Sequence, residues 1–484
     1  MRKLGAAALI AAGWTAAAHA SPESDCTTLN GKMLAGAPIA AHYVANPGFC
    51  EVSAALSPVA NSHIGVVYRL PDQWNGKLLG LGGGGWAGNV RLAAATPGLT
   101  RGYATAQTDG GHPGTGVWDT GWTSEPQAVT DFAWRAIHEM TVAGKELVKL
   151  RYGRAQAKAY YQGCSTGGRQ GLMEAQRFPD DYDGIIAGAP VYTLQVQSSA
   201  ILRNQLFGGG NGFTVATLKL VNDAVLKACD RQDGLADGIL TDPRRCAWDP
   251  AALACPKGTT ATASCLTAGQ VATLRRAYAG ERAPDGSWAM LPLQRGGEMG
   301  WSRFIDAAGT GVDATRGGGM MGLKDLLFGD RAIDMTALTA ADIPVARASA
   351  FARAYEAADP DLRRFTAHGG KLILWHGWSD PGPSPVNTIL YYEQVRNLDR
   401  AGADAHVRLF LDPGVEHCGG GPGADQPDTL TALEGWIEQG KPPATVLATR
   451  ADKRLSRPLC PYPSRPLYDG HGDAALAASF RCDE

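Results

Sequence analysis

The sequence predicts an α/β fold, built on a mostly parallel sheet with one large insertion. Three observations carry this. Short apolar runs alternate with helical patterns toward both ends of the chain. One such run, Ala159-Tyr160-Tyr161, enters a turn of small residues at Gly163-Cys164-Ser165-Thr166-Gly167 and leaves it as a helix. Between about residues 192 and 365 the alternation gives way to four Cys, an aspartate cluster and glycine runs.

The elements follow in order. Arg2 and Lys3, the apolar run Leu4 to Ala18, and Ala18-His19-Ala20 read as a cleaved export signal over residues 1–20. The run is too short for a membrane anchor, and no later stretch reaches the required length. Leu78 to Leu81 reads as a buried strand entering the glycine loop Gly82 to Gly85. Residues 128–150 read as a helix, because Ala133, Ile137, Met140, Gly144 and Leu147 recur at steps of four and three. Strand and turn occupy 159–167, and Arg169 to Arg177 continues as the helix behind Ser165. Ile185-Ile186-Ala187, Lys371 to Trp375 and Val407 to Leu411 read as further strands. The core is therefore expected at 21–191 and 366–484, with an inserted lid at 192–365.

The mature chain of 464 residues (484 minus 20) exceeds what one core supports, so two domains are expected. Net charge is −2, falling to −4 once Arg2 and Lys3 leave, which gives no electrostatic case for nucleic acid or a membrane surface. All ten Cys lie beyond residue 20, an even count that argues for disulfides in a secreted or periplasmic protein. Local pairing would join Cys26–Cys50, Cys229–Cys246, Cys255–Cys265 and Cys460–Cys482, leaving Cys164 and Cys418, although spacing alone does not prove connectivity. No C-x-x-C pair supports a zinc site.

The turn at 163–167 fits a G-x-S-x-G nucleophile elbow, whose tightness requires small flanking residues. A Ser needs a base, and the base needs an orienting acid. In α/β-hydrolases they follow in the order Ser, acid, His. Asp380 and His417 each lie just past a strand, in that order, so Ser165, His417 and Asp380 form the candidate triad. His376 competes as base, but it precedes Asp380. A lone elbow or a lone His after a strand is a weak signal; their joint order is a strong one. If Ser165 and His417 meet, Cys164 and Cys418 are brought close. Thr166 N–H should supply one oxyanion donor, and Gly83 or Gly84 in the glycine loop the other. In the insertion, Asp230, Asp233 and Asp237 alternate with Gly234 and Gly238. This suits an oxygen-seeking cation such as Ca²⁺, without the EF-hand spacing. A polar turn closed by Cys229–Cys246 is an equal reading of the same residues.

These stretches resemble the tannase/feruloyl esterase family. The matching segments are GCSTGGRQG at 163–171, Ala175 to Pro179, Asp183 to Ile185, Cys229 to Ile239, His376 to Asp380 and His417 to Gly420. The resemblance implies an α/β-hydrolase core with a lid and a Cys164–Cys418 bridge. It also implies lid Ca²⁺ held by the side chains of Asp230, Asp233 and Asp237 and the carbonyls of Leu235 and Ile239. The implied activity is hydrolysis of small aromatic carboxylic esters by a serine esterase, feruloyl esters first. Tannins and mono(2-hydroxyethyl) terephthalate are the alternatives. A serine peptidase, or a catalytically silent binding protein on the same scaffold, are the rivals from other classes. Trp301, Arg303 and Phe304 are candidate substrate contacts, with Trp301 equally readable as lid core.

Overall fold

The structure is a computed structural model that describes residues 21–483, except 115, 209–211, 258–263, 306–319 and 401. The export signal expected at 1–20 lies outside the described residues. Nine strands form the central sheet: β1 (Ala40–Val44), β2 (Phe49–Leu56), β3 (Ile64–Pro71), β4 (Lys77–Leu81), β5 (Ala104–Thr108), β6 (Lys158–Cys164), β7 (Gly184–Gly188), β8 (Lys371–Gly377) and β9 (Val407–Asp412). Their spatial order is β9-β8-β7-β6-β4-β5-β3-β2-β1. The six from β4 to β9 are mutually parallel, and β3, β2 and β1 extend the edge in antiparallel pairing.

Alternation along each strand divides the core into two layers. Leu78, Tyr161, Ile185 and Leu374 point to one face, where they meet Ile137, Met140 and Leu147 of α1 (Ala136–Tyr152) and Leu172 of α2 (Thr166–Arg177). Leu79, Tyr160, Ile186 and Ile373 point to the other face, against Leu430, Leu433 and Trp436 near the C-terminus. Strands covered on both faces read as unbroken apolar runs, which is why these were visible in the sequence. The helix expected at 128–150 is one path with a π-helical turn at Asp131–Arg135 ahead of α1.

Residues 189–370 connect β7 to β8 and contain α3 (Gln195–Gly208), α4 (Val215–Cys229) and α5 (Ala268–Ala279). Phe207, Leu218, Val221, Val225, Leu274 and Trp301 form a separate apolar cluster there. Buried Arg203 of α3 fastens this segment to the sheet side by donating to the carbonyls of Pro381 (2.9 Å) and Gly382 (2.8 Å), and it also donates to Leu291 O within the segment (2.8 Å). Disulfides join Cys26–Cys50, Cys164–Cys418, Cys229–Cys246, Cys255–Cys265 and Cys460–Cys482. No helix among the described residues is long and apolar enough to cross a membrane.

Candidate active site

β6 ends at Cys164 and α2 begins at Thr166, so Ser165 is the whole turn. Its backbone sits at φ 63°, ψ −123°, a sparsely populated region for a residue with a Cβ. The surroundings force this sharpness. A Cβ on Gly163 would lie 2.5 Å from the Gly167 backbone, and one on Gly82 would lie 2.5 Å from Gly167 Cα. Only glycine permits so close an approach.

Three loops at the carboxyl ends of β6, β8 and β9 bring the expected trio together. Ser165 Oγ is 2.9 Å from His417 Nε2, and His417 Nδ1 is 2.7 Å from Asp380 Oδ2. Nδ1 donates to the carboxylate, which leaves Nε2 to accept the Ser165 proton. Asp380 Oδ1 accepts the Gly382 N–H at 2.8 Å. Burial pushes the Asp380 carboxyl up, but the charge of His417 and the hydrogen bonds from His376 and His417 outweigh it and hold it at about 2.

His376 does not reach Ser165. Its Nε2 lies 3.1 Å from both Asp380 Oδ2 and the Pro383 carbonyl, and Nδ1 faces the Thr388 hydroxyl at 2.8 Å. The Pro383 carbonyl only accepts, so Nε2 carries the proton and donates to Asp380. His376 is thus a second imidazole on the acid. The sequence reading treated it only as a rival base. The Arg203 clamp on the Asp380 loop was not foreseen either, since nothing local links residue 203 to residues 381 and 382.

At the glycine loop, the amides expected as oxyanion donors are already engaged. Thr166 opens α2, so its N–H has no intrahelical acceptor. Gly83 N–H, however, already donates to Gln170 Oε1 (2.9 Å), and Gly84 N–H donates to Ala87 O (3.3 Å). Gly85 N–H has no hydrogen bond among the described residues, and Gly85 O accepts from the Thr166 hydroxyl at 2.6 Å.

Ser165 opens into a cavity of about 490 Å³ lined by Trp86, Trp118, Val196, Gln197, Phe304 and His417 among others. Phe304 stands edge-on to His417, with centroids 5.1 Å apart. Arg303 also lines it, donating to Glu416 Oε2 (2.9 Å) and Gly419 O (3.0 Å). Trp301 lies outside the wall and packs on Phe207 and Tyr278 in the insertion's own core. A cavity of about 870 Å³ adjoins the first across Gly84, Arg91, Val117 and Cys164.

In the aspartate loop, Asp230 accepts the Gly238 N–H, Asp233 accepts from Leu235 N and the Thr241 hydroxyl, and Asp237 accepts from Ile239 N. Arg457 pairs with Asp237 at 2.6 Å; Asp230 and Asp233 have no ion-pair partner among the described residues. Burial first, and the nearby Asp237 carboxylate as well, raise the pKa of both Asp230 and Asp233 from the ordinary aspartate value. Partly buried acids crowded with one paired cation between them fit a site for a hard cation.

A Ser–His–Asp relay across the strand ends of a mostly parallel sheet is the architecture of the α/β-hydrolases. The chain belongs to the tannase and feruloyl esterase family, whose model matches residues 50–299 and 321–483. It is a carboxylic ester hydrolase. It is 34% identical to mono(2-hydroxyethyl) terephthalate hydrolase of Piscinibacter sakaiensis, over 92% of this chain and 86% of that one. It is 32% identical to feruloyl esterase B of Aspergillus niger, over 90% and 87%. Feruloyl esterase B of Aspergillus oryzae superposes with a TM-score of 0.82 at 28% identity, covering 96% of this chain and 100% of the other.

Proposed function

We propose that this chain is an exported serine esterase of small aromatic carboxylic esters, with feruloyl esters as its first substrate class. The supporting observation is that Ser165, His417 and Asp380 make a continuous relay opening into an aromatic-walled cavity. Trp118 and Phe304 offer ring contacts to an aryl acyl group. Ser165 Oγ attacks the ester carbonyl while its proton passes to His417 Nε2. Thr166 and Gly85 N–H receive the oxyanion. The protonated His417 then releases the alcohol, leaving an acyl-Ser165. Water, deprotonated by His417, attacks the acyl carbon and frees the acid. The adjoining 870 Å³ cavity gives room for a bulky alcohol portion.

Mono(2-hydroxyethyl) terephthalate and tannins are second readings. The first places a free carboxylate in the pocket, for which Arg91 and Arg303 are the wall cations. Glu416 pairs with Arg303, while Arg91 has no ion-pair partner among the described residues, so the wall charge does not by itself separate the two ester classes. Residues 192–365 serve as the lid that carries Phe304. The aspartate loop binds Ca²⁺ through Asp230, Asp233 and Asp237, with the carbonyls of Leu235 and Ile239. The ion would neutralise the crowded carboxylates and fasten the loop. Five disulfides suit an oxidising, extracytoplasmic site reached through the leader at 1–20. A turnover panel of methyl ferulate, methyl gallate, the terephthalate half-ester and a peptide anilide tests the reading. Methyl ferulate should give the highest kcat/KM. Turnover of the anilide alone would replace the esterase with a peptidase.

A further inference from the structure

On the side of α2 away from the cavity, Glu174 is 1% exposed and neither of its carboxylate oxygens has a hydrogen-bond partner. Asp181, 7% exposed, lies beside it, and His138 of α1 places Nδ1 2.7 Å from Asp181 Oδ2. One ligand atom from each of the three lies within 4.8 Å of the others, the one such group among the described residues. Burying a carboxylate with no donor is costly, and placing a second carboxylate beside it raises the cost. The nearby ammonium does not resolve this: Lys145 Nζ stands 3.9 Å from Asp181 Oδ1 and donates to the Asp180 carbonyl. Something positive belongs between Glu174 and Asp181.

We propose that His138, Glu174 and Asp181 form a site for a divalent transition cation, Zn²⁺ by its donor chemistry, which ties the nucleophile helix α2 to α1. One imidazole nitrogen with two carboxylates suits Zn²⁺ better than Ca²⁺, which prefers oxygen alone. Water would complete four-coordination. The His138 ring stacks on Phe178 with centroids 3.8 Å apart, so the ligand is already oriented. Its side chain remains 27% exposed, which gives an ion a way in from solvent. The rival occupant is a proton shared by Glu174 and Asp181.

Cobalt distinguishes the two. Calcium-saturated protein titrated with Co²⁺ should bind one equivalent with a visible ligand-field band, displaced by Zn²⁺. His138→Ala, on a half-buried ring, should weaken that binding by at least about tenfold, the smaller loss seen even for outer-shell partners. Zn²⁺ should also raise the melting temperature of wild type and not of His138→Ala. Absence of the band in wild type would overturn the proposal in favour of the shared proton, and so would a band of equal affinity in both His138→Ala and Glu174→Gln. None of these readouts depends on ester turnover.

Discussion

Replacing both Cys164 and Cys418 by Ala should cost this enzyme most of its turnover number while leaving KM nearly unchanged. The bridge joins the residue before the nucleophile to the residue after the base, across a sequence separation of 254 and a Cα–Cα distance of 6.0 Å. Chain entropy assigns such a closure about 5 kcal/mol of stability. The catalytic effect arises locally. Cys418 is held at φ 58°, and Gly419, Gly420 and Gly421 follow at φ 138°, 85° and 80°. A non-glycine residue there stores about 1–3 kcal/mol, which persists only under constraint. Without the bridge, Cys418 is free to relax, and the 2.9 Å contact between His417 and Ser165 loosens with it. Arg303 and Asp425 still hold Gly419 and Gly420, so the displacement should be small, on the scale of 1 Å, worth about 10²-fold in rate. Steady-state kinetics on methyl ferulate, beside urea unfolding of the same variant, measures both effects. A variant with kcat within about threefold of wild type would refute the claim that the bridge sets triad geometry.

Other perturbations test other parts of the site. His376→Ala should lower kcat by about 10–100-fold, as losses of outer-shell partners do, and far less than His417→Ala. His376→Gln, which restores an N–H donor to Asp380, should recover part of it, and equal activity in the Ala and Gln variants would deny His376 that donor role. Asp380 is held at about 2 against an ordinary 3.8. Its stabilising contribution is therefore present above about pH 4 and lost as the pH falls toward 2, amounting to about 2 kcal/mol. Acid unfolding of Asp380→Asn should lack this component; an unchanged acid limb would contradict it. Chelation should lower the melting temperature, and Asp230→Ala with Asp233→Ala should reproduce the shift. An unmoved melting curve, with no calcium in the purified protein, would reduce the aspartate loop to a polar turn.

Much of the site was legible because its signals are local. The elbow spans five residues, and Asp380 and His417 each lie within one loop of a buried apolar run. Five of the six parallel strands announced themselves through apolar runs buried on both faces; β5 did not, because its buried positions include Thr105, Gln107 and Thr108. β2 did not, because an antiparallel edge mixes exposed with buried positions, as where Val52 is buried while Ser53 and Ala55 face outward. The unread parts depend on contacts across the chain. The Gly83 N–H is spent on Gln170, 87 residues away, so the glycine run alone could not say which amide stays available. Arg203 reaches the Asp380 loop across 178 residues. His376 looked like a base because a strand end suits one; only the fold shows that its ring faces Asp380.

In the proposed reaction Ser165, activated by His417, takes the acyl group of an aromatic ester. Rapid-quench mass spectrometry of the protein mixed with methyl ferulate tests this most directly. A feruloyl adduct on the peptide containing Ser165 is the predicted result, absent in Ser165→Ala, whose turnover should fall by about 10⁶-fold. An adduct on another residue, or wild-type turnover in Ser165→Ala, would contradict the account.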